Sequence, residues 1–193
     1  MVHVICFGNP FHGDDGFGTH VFRRLAEPGG LPPMARLFEA GTSGLTALAF
    51  FAGCRKAVLV DALMGGGTVG EVRRLLPEEV GPPGPEFSVH NLGVAHLLAA
   101  LPIAFEGREL PEVVIVAAEV EAIQPFTDRL GLPLQATIDR AILLVRQECE
   151  REATAENVAA GAEKGSRLDT PGGVEYPLQP GVADGLGDLL THG

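Results

Sequence analysis

Tryptophan is absent from this 193-residue chain, tyrosine occurs once, and cysteine only three times. Cys6, Cys54 and Cys149 are far apart and form no Cys-x-x-Cys pair. That excludes a disulfide framework and a cysteine-rich zinc module, and makes buried free thiols the expectation. Basic residues are scarce: 14 Lys and Arg face 25 Asp and Glu, for a formal net charge of −11. Phosphate binding needs cations clustered on one face, so this balance argues against nucleic acid or an anionic membrane as partner. It suits a neutral or basic partner, or a captured cation. Apolar stretches are broken within about ten residues, too short to insert across a bilayer. The N-terminal apolar run lacks a basic leader, which predicts a cytoplasmic protein without a secretory signal.

The chain nonetheless has enough apolar content for a core, with 46% hydrophobic residues and a mean hydropathy of +0.20. Its length suggests one domain. Residues 2–7 (VHVICF) are β-branched and aromatic and stop at Gly8, the pattern of a buried strand. Helical spacing of Phe17, Val21, Phe22 and Leu25 follows. Residues 35–40 predict a second strand, and Thr42 or Ser43 a helix cap, with Gly53 closing that helix. A third strand covers 56–63 (KAVLVDAL) and ends near Asp61. Residues 68–76 predict a strand antiparallel to it, because the short glycine-rich link cannot hold a crossover helix. A helix from about residue 91 to Pro102, a strand centred on 113–117 and a helix over 133–153 complete the series. Leu134, Ile138, Ala141, Ile142 and Val145 share one face of that last helix. Alternating strands and helices predict a three-layer α/β/α domain, residues 1–153, on a mostly parallel sheet. Residues 154–193 are rich in Gly and Pro and predict a poorly ordered tail.

The stretch Gly8–Gly18, GNPFHGDDGFG, holds two adjacent carboxylates where the first strand ends. It lacks both the dinucleotide glycine spacing and a Gly-Lys-Ser/Thr ending, and its carboxylates would repel a phosphate. Adjacent side chains on extended chain point apart, which divides the labour. Asp14 is expected to support the loop or cap the next helix, and Asp15 to face a cleft. Asp61 ends a strand that should lie parallel to the first, so Asp15 and Asp61 are expected on one sheet edge, where ligands of open α/β sheets bind. Of six histidines, His90 stands at a loop-to-helix junction, SVHNLG, while His12 lies beside the acidic loop. Two carboxylates and an imidazole can make a divalent-metal site, with nickel or zinc favoured by the imidazole. No Gly-x-Ser-x-Gly elbow is present, and Cys6 sits in a buried strand, so a nucleophilic hydrolase is disfavoured.

Taken together, GNPFHGDDGFG, VLVDA and SVHNLG resemble the hydrogenase maturation protease family. Gly8, Asn9, Asp14, Asp15, Gly16 and Gly18 fit its first motif, with Gly8, Asn9, Asp14 and Gly16 as loop support. Asp61 fits its strand-end Asp and His90 its helix-opening His. Residues 39–45, EAGTSGL, are similar to its Asp-Gly-Gly-Thr loop, which implies substrate contacts at Glu39, Gly41 and Thr42. The resemblance covers about residues 2–150 and implies a five-stranded twisted sheet flanked by helices. It also implies Asp15, Asp61 and His90 as both metal-binding and catalytic residues. The expected activity is endopeptidase removal of the C-terminal extension of a nickel-loaded nickel–iron hydrogenase large-subunit precursor, with nickel supplied by that substrate. A nickel-sensing chaperone without activity and a small-molecule metallohydrolase are the rival expectations. The family's Gly-Ile/Val-Gln/Glu-Pro segment is displaced here: Glu119 stands near the strand end and IQP only at 123–125.

Overall fold

The computed structural model describes residues 1–65, 67–81 and 94–152 in full, and follows the backbone of the last helix to residue 165. Strands β1 (Val2–Phe7), β2 (Ala35–Gly41), β3 (Lys56–Leu63), β4 (Val72–Leu75) and β5 (Glu112–Glu119) make one sheet, in the order β2-β1-β3-β5-β4. The β1, β2, β3 and β5 strands are parallel, and β4 lies antiparallel on the β5 edge. Helices α1 (Phe17–Leu25), α2 (Val94–Ala104) and α3 (Leu132–Gly165) flank it.

Strand alternation sorts the core into two layers. Val4 and Cys6 of β1, Val58 and Val60 of β3, and Val116 of β5 pack against Phe17 and Val21 of α1 and Leu134, Ala141 and Val145 of α3. On the other face Ile5, Leu59 and Ile115 meet Ala47 and Phe51 together with Leu97 and Leu101 of α2. Both faces of β1, β3 and β5 are covered, as their apolar sequences require. The apolar stripe read along the last helix is the buried one.

Several boundaries differ from expectation. The strand expected over 68–76 shortens to β4 and pairs with β5, which is inserted between it and β3. Apolar on both faces, β5 takes the covered place, while exposed Arg73 suits β4 to the sheet edge. The helix expected after Ser43 is a 3-10 helix, Gly44–Phe51, without a side-chain cap. Gly44 enters it at φ +51°, and Gly53 follows its end at φ +78°. Pro102 lies inside α2 instead of ending it. It forfeits one backbone bond within the last turn, where the loss is tolerated. The α3 backbone continues past residue 153 to Gly165. Residues 82–93 and 166–193 lie outside the described residues, and with them His90 and His192. No helix among the described residues is long and apolar enough to cross a membrane.

Candidate active site at the carboxyl edge of the sheet

The chain leaves β1 toward β2 on one side and reaches β3 on the other, so the strand order reverses between β1 and β3. Adjacent parallel strands with oppositely directed connections leave a crevice beyond their carboxyl ends. Gly8–Gly18 fills one wall of that crevice and Asp61, near the end of β3, the other.

Close backbone approach shapes the loop. A Cβ on Gly8 would lie 2.5 Å from the Asp15 carbonyl oxygen, and Gly8 has φ +146°. A Cβ on Gly18 would lie 1.8 Å from the Phe7 carbonyl oxygen and 2.9 Å from that of Val60. Only glycine lets the first turn of α1 press onto the ends of β1 and β3 together. The loop closes with Gly8 N donating to the Gly41 carbonyl at 3.0 Å and Asn9 N to the Asp15 carbonyl at 3.1 Å. Asn9 Oδ1 accepts from Phe11 N at 3.1 Å.

The two adjacent aspartates take different partners, although a 3-10 turn and not extended chain separates them. Asp14 Oδ1 accepts a 2.6 Å hydrogen bond from Gly131 N and so pins the 124–131 segment to the loop. It does not cap α1, whose N-cap is Gly16 and has no side-chain cap bond. A 3-10 turn over Gly13–Gly16 intervenes and carries Asp14 off the helix axis. Asp15 is 6% exposed, and its Oδ2 accepts from Asn9 N at 3.2 Å.

Asp61 is half-buried at the edge, and its Oδ1 accepts from Ala62 N at 2.8 Å. Burial, reinforced by the Asp15 charge and opposed by the Ala62 N–H, pushes its pKa up to about 8. Cys6, in the same neighbourhood, is pushed well above the ordinary thiol range by burial and then by the Glu39 and Asp61 charges. It is no thiolate nucleophile.

Of the residues expected to contact substrate, Gly41 accepts the Gly8 bond, while Glu39 and Thr42 are exposed beside it. His90 lies outside the described residues; among these no group of three His, Cys, Asp or Glu is arranged to hold a metal ion. The described part of the expected metal set is therefore the Asp15–Asp61 pair.

Glu119 is the residue that sequence reading left without a role. It is 1% exposed on the same edge, and its Oε1 accepts from Gly65 N at 2.6 Å. Its Oε2 is buried without a partner among the described residues. Register sets Asp61 opposite Ala117 and Glu119 opposite Leu63, so alternation turns both acids to the α2 face. An acidic residue ending an otherwise apolar strand was the signal available. Two aromatic residues were also passed over. Phe11 is 69% and Phe126 is 96% exposed, and Phe126 sits at φ +62°, a conformation costing a bulky side chain about 1–2 kcal/mol. Cavities of about 380, 470 and 660 Å³ lie elsewhere, and neither Asp15 nor Asp61 lines any of the three.

Comparison with known proteins agrees with this fold. Residues 19–152 match the family model described as hydrogenase maturation protease. The chain belongs to that family. The matched span begins just after the acidic loop, so the loop's own geometry stands as independent support. A hydrogenase expression/formation protein, HupD of Rhodobacter capsulatus, is 32% identical over 104 residues, covering 51% of this chain and 48% of that protein. The match thus spans about half of that relative's length. Among solved structures, the hydrogenase maturating endopeptidase HybD from E. coli superposes with a TM-score of 0.66 at 22% identity, over 78% of this chain and 93% of that one. The [NiFe] hydrogenase maturation protease HybD from Thermococcus kodakarensis gives 0.58 at 23% identity, over 76% and 97%. These likenesses establish the shared fold.

Proposed function

We propose that this chain is the endopeptidase that removes the C-terminal extension of a nickel-loaded hydrogenase large-subunit precursor. The observation that carries the reading is the pairing of Asp15 with Asp61 at the switch-point crevice, where the Asp15 charge reaches the buried Asp61 carboxyl. Hydrolysis adds water across the peptide bond: the water oxygen bonds to the carbonyl carbon while the carbon–nitrogen bond breaks. One group must take a proton from water and another must give one to the leaving amine. Asp15 and Asp61 are the acids on this edge able to carry those protons. Nickel enters as part of the precursor, with Asp15, Asp61 and His90 as its ligands in the cleft. A divalent ion held by these residues would supply Lewis-acid chemistry, and both carboxyls would be deprotonated as its ligands.

The test is incubation of the purified chain with nickel-loaded precursor, following loss of the C-terminal peptide by mass. Cleavage by the wild type is expected, with Asp15→Asn, Asp61→Asn and His90→Ala each slowed at least about 100-fold. An intact precursor with the wild-type chain would overturn the assignment. Full activity in all three variants would overturn the site.

A further inference from the structure

We propose that Phe11 and Phe126 form the docking surface on which an apolar segment of the precursor is seated beside the Asp15 loop. This rests on the precursor-processing reading and adds the residues that recognise the polypeptide. The two side chains come from loops far apart in sequence that the backbone ties together. Thr127 N donates to the Phe11 carbonyl at 3.1 Å and Gly13 N to the Thr127 carbonyl at 2.8 Å. A parallel bridge joins His12 and Thr127, and the Asp14–Gly131 bond fastens the far side of the second loop. These bonds tie the two loops together, and the surface is continuous with the peptide that carries Asp15.

Neither ring serves the core. Phe11 is 69% and Phe126 is 96% exposed, so each leaves a large apolar face in water. Phe126 is also the only non-glycine residue at positive φ among the described residues. Glycine or asparagine would occupy that backbone position with less strain. An exposed aromatic held in a strained conformation by its hydrogen-bonded neighbours is a structural liability that a binding role explains. Aromatic side chains are also the usual anchors of protein interfaces.

Charge selects the occupant. The chain carries a formal net charge of −11, and Asp14, Asp15, Asp61 and Glu119 stand on this edge. A second copy would bring the same excess of negative charge as the whole chain carries, whereas a neutral or basic precursor segment would not.

The experiment measures cleavage kinetics and direct binding of the nickel-loaded precursor for wild type, Phe11→Ala, Phe126→Gly and the double variant. Ile103→Ser serves as control, since Ile103 is 78% exposed near the far end of α2. KM and Kd are expected to rise about tenfold in each single variant, with kcat within about twofold of wild type. The control should match wild type. Phe126→Gly should bind more weakly while unfolding at an equal or higher urea midpoint, which a merely structural residue would not do. Wild-type cleavage with unchanged KM in both single variants would overturn the surface. So would a wild-type dimer that dissociates in the variants. Phenylalanine-dependent binding without any cleavage would overturn the hydrolytic reading and leave the surface standing. Absence of both binding and cleavage would overturn both.

Discussion

A carboxyl group taken out of water holds its proton more tightly, and at Asp61 burial and the Asp15 charge together raise the pKa to about 8. Because the folded pKa lies above the unfolded value, the folded state binds the proton more strongly. Stability contributed in this way is complete at acid pH and is lost as pH rises toward 8. Asp61→Asn removes the ionisation without removing bulk. Urea unfolding should therefore find the variant more stable than wild type at pH 8, by on the order of 2 kcal/mol, with the gap closing near pH 4. The same variant should lose cleavage. A gap that does not change with pH would show that Asp61 is not a high-pKa group. Stability gained where activity is lost marks a residue kept for function. The Gly8–Gly18 motif exposes this residue-level chemistry in sequence only in part. The sequence singled out both acids, but the 3-10 turn that separates Asp14 from Asp15 is not the extended chain that the alternation argument assumed. The Asp14–Gly131 bond was not legible, because it spans 117 residues of chain.

At the scale of elements, the decisive contact is the seating of α1 on the ends of β1 and β3. Gly18→Ala would put a methyl carbon 1.8 Å from the Phe7 carbonyl oxygen, a backbone atom that cannot swing aside. The helix must shift as a body. We expect a loss of about 3 kcal/mol in urea unfolding, and cleavage reduced further than that loss explains because the Asp15 loop moves with α1. An unchanged urea midpoint would refute the close packing. Helical periodicity identified α1 and α3, and β-branched runs identified β1, β3 and β5. The exchange of partner by β4 could not be seen in its own sequence, since sheet order depends on which neighbour hides more apolar surface. Nor could the 3-10 geometry of Gly44–Phe51.

Across the whole molecule, the edge opposite the site is locked by a buried charge network. Lys56 Nζ lies 2.9 Å from Glu148 and 3.2 Å from Glu112. Arg74 Nε lies 2.9 Å and a guanidinium nitrogen of Arg151 2.6 Å from the same Glu148. Burial alone would raise the Glu148 pKa, yet the bonds from Arg74 and Lys56 hold it below the usual carboxylate range. A depressed folded pKa gives stability that is present above the unfolded value and lost as pH falls through the folded one. Glu148→Gln should cost about 3 kcal/mol at neutral pH by leaving Lys56 and Arg74 short of a partner. It should also flatten the acid limb of the stability profile below about pH 4. A variant that keeps the wild-type acid limb would show that the network does not carry this linkage. The network joins α3 to β3, β4 and β5, so it sets the sheet on which the opposite edge presents its carboxylates.

The sequence by itself determined the α/β class, the apolar strands and the family motif, because these depend on local periodicity and on residues adjacent in the chain. It also marked Asp15 and Asp61 as the acids to follow, since each ends or follows a buried strand. Only the tertiary structure decided that β1 and β3 are neighbours with oppositely directed connections, which brings those two acids into one field. It alone buried Glu119 and Glu148, and set Phe126 in water at a strained angle beside Phe11. Those outcomes arise from contacts between residues distant in sequence, where packing, desolvation and charge act through space.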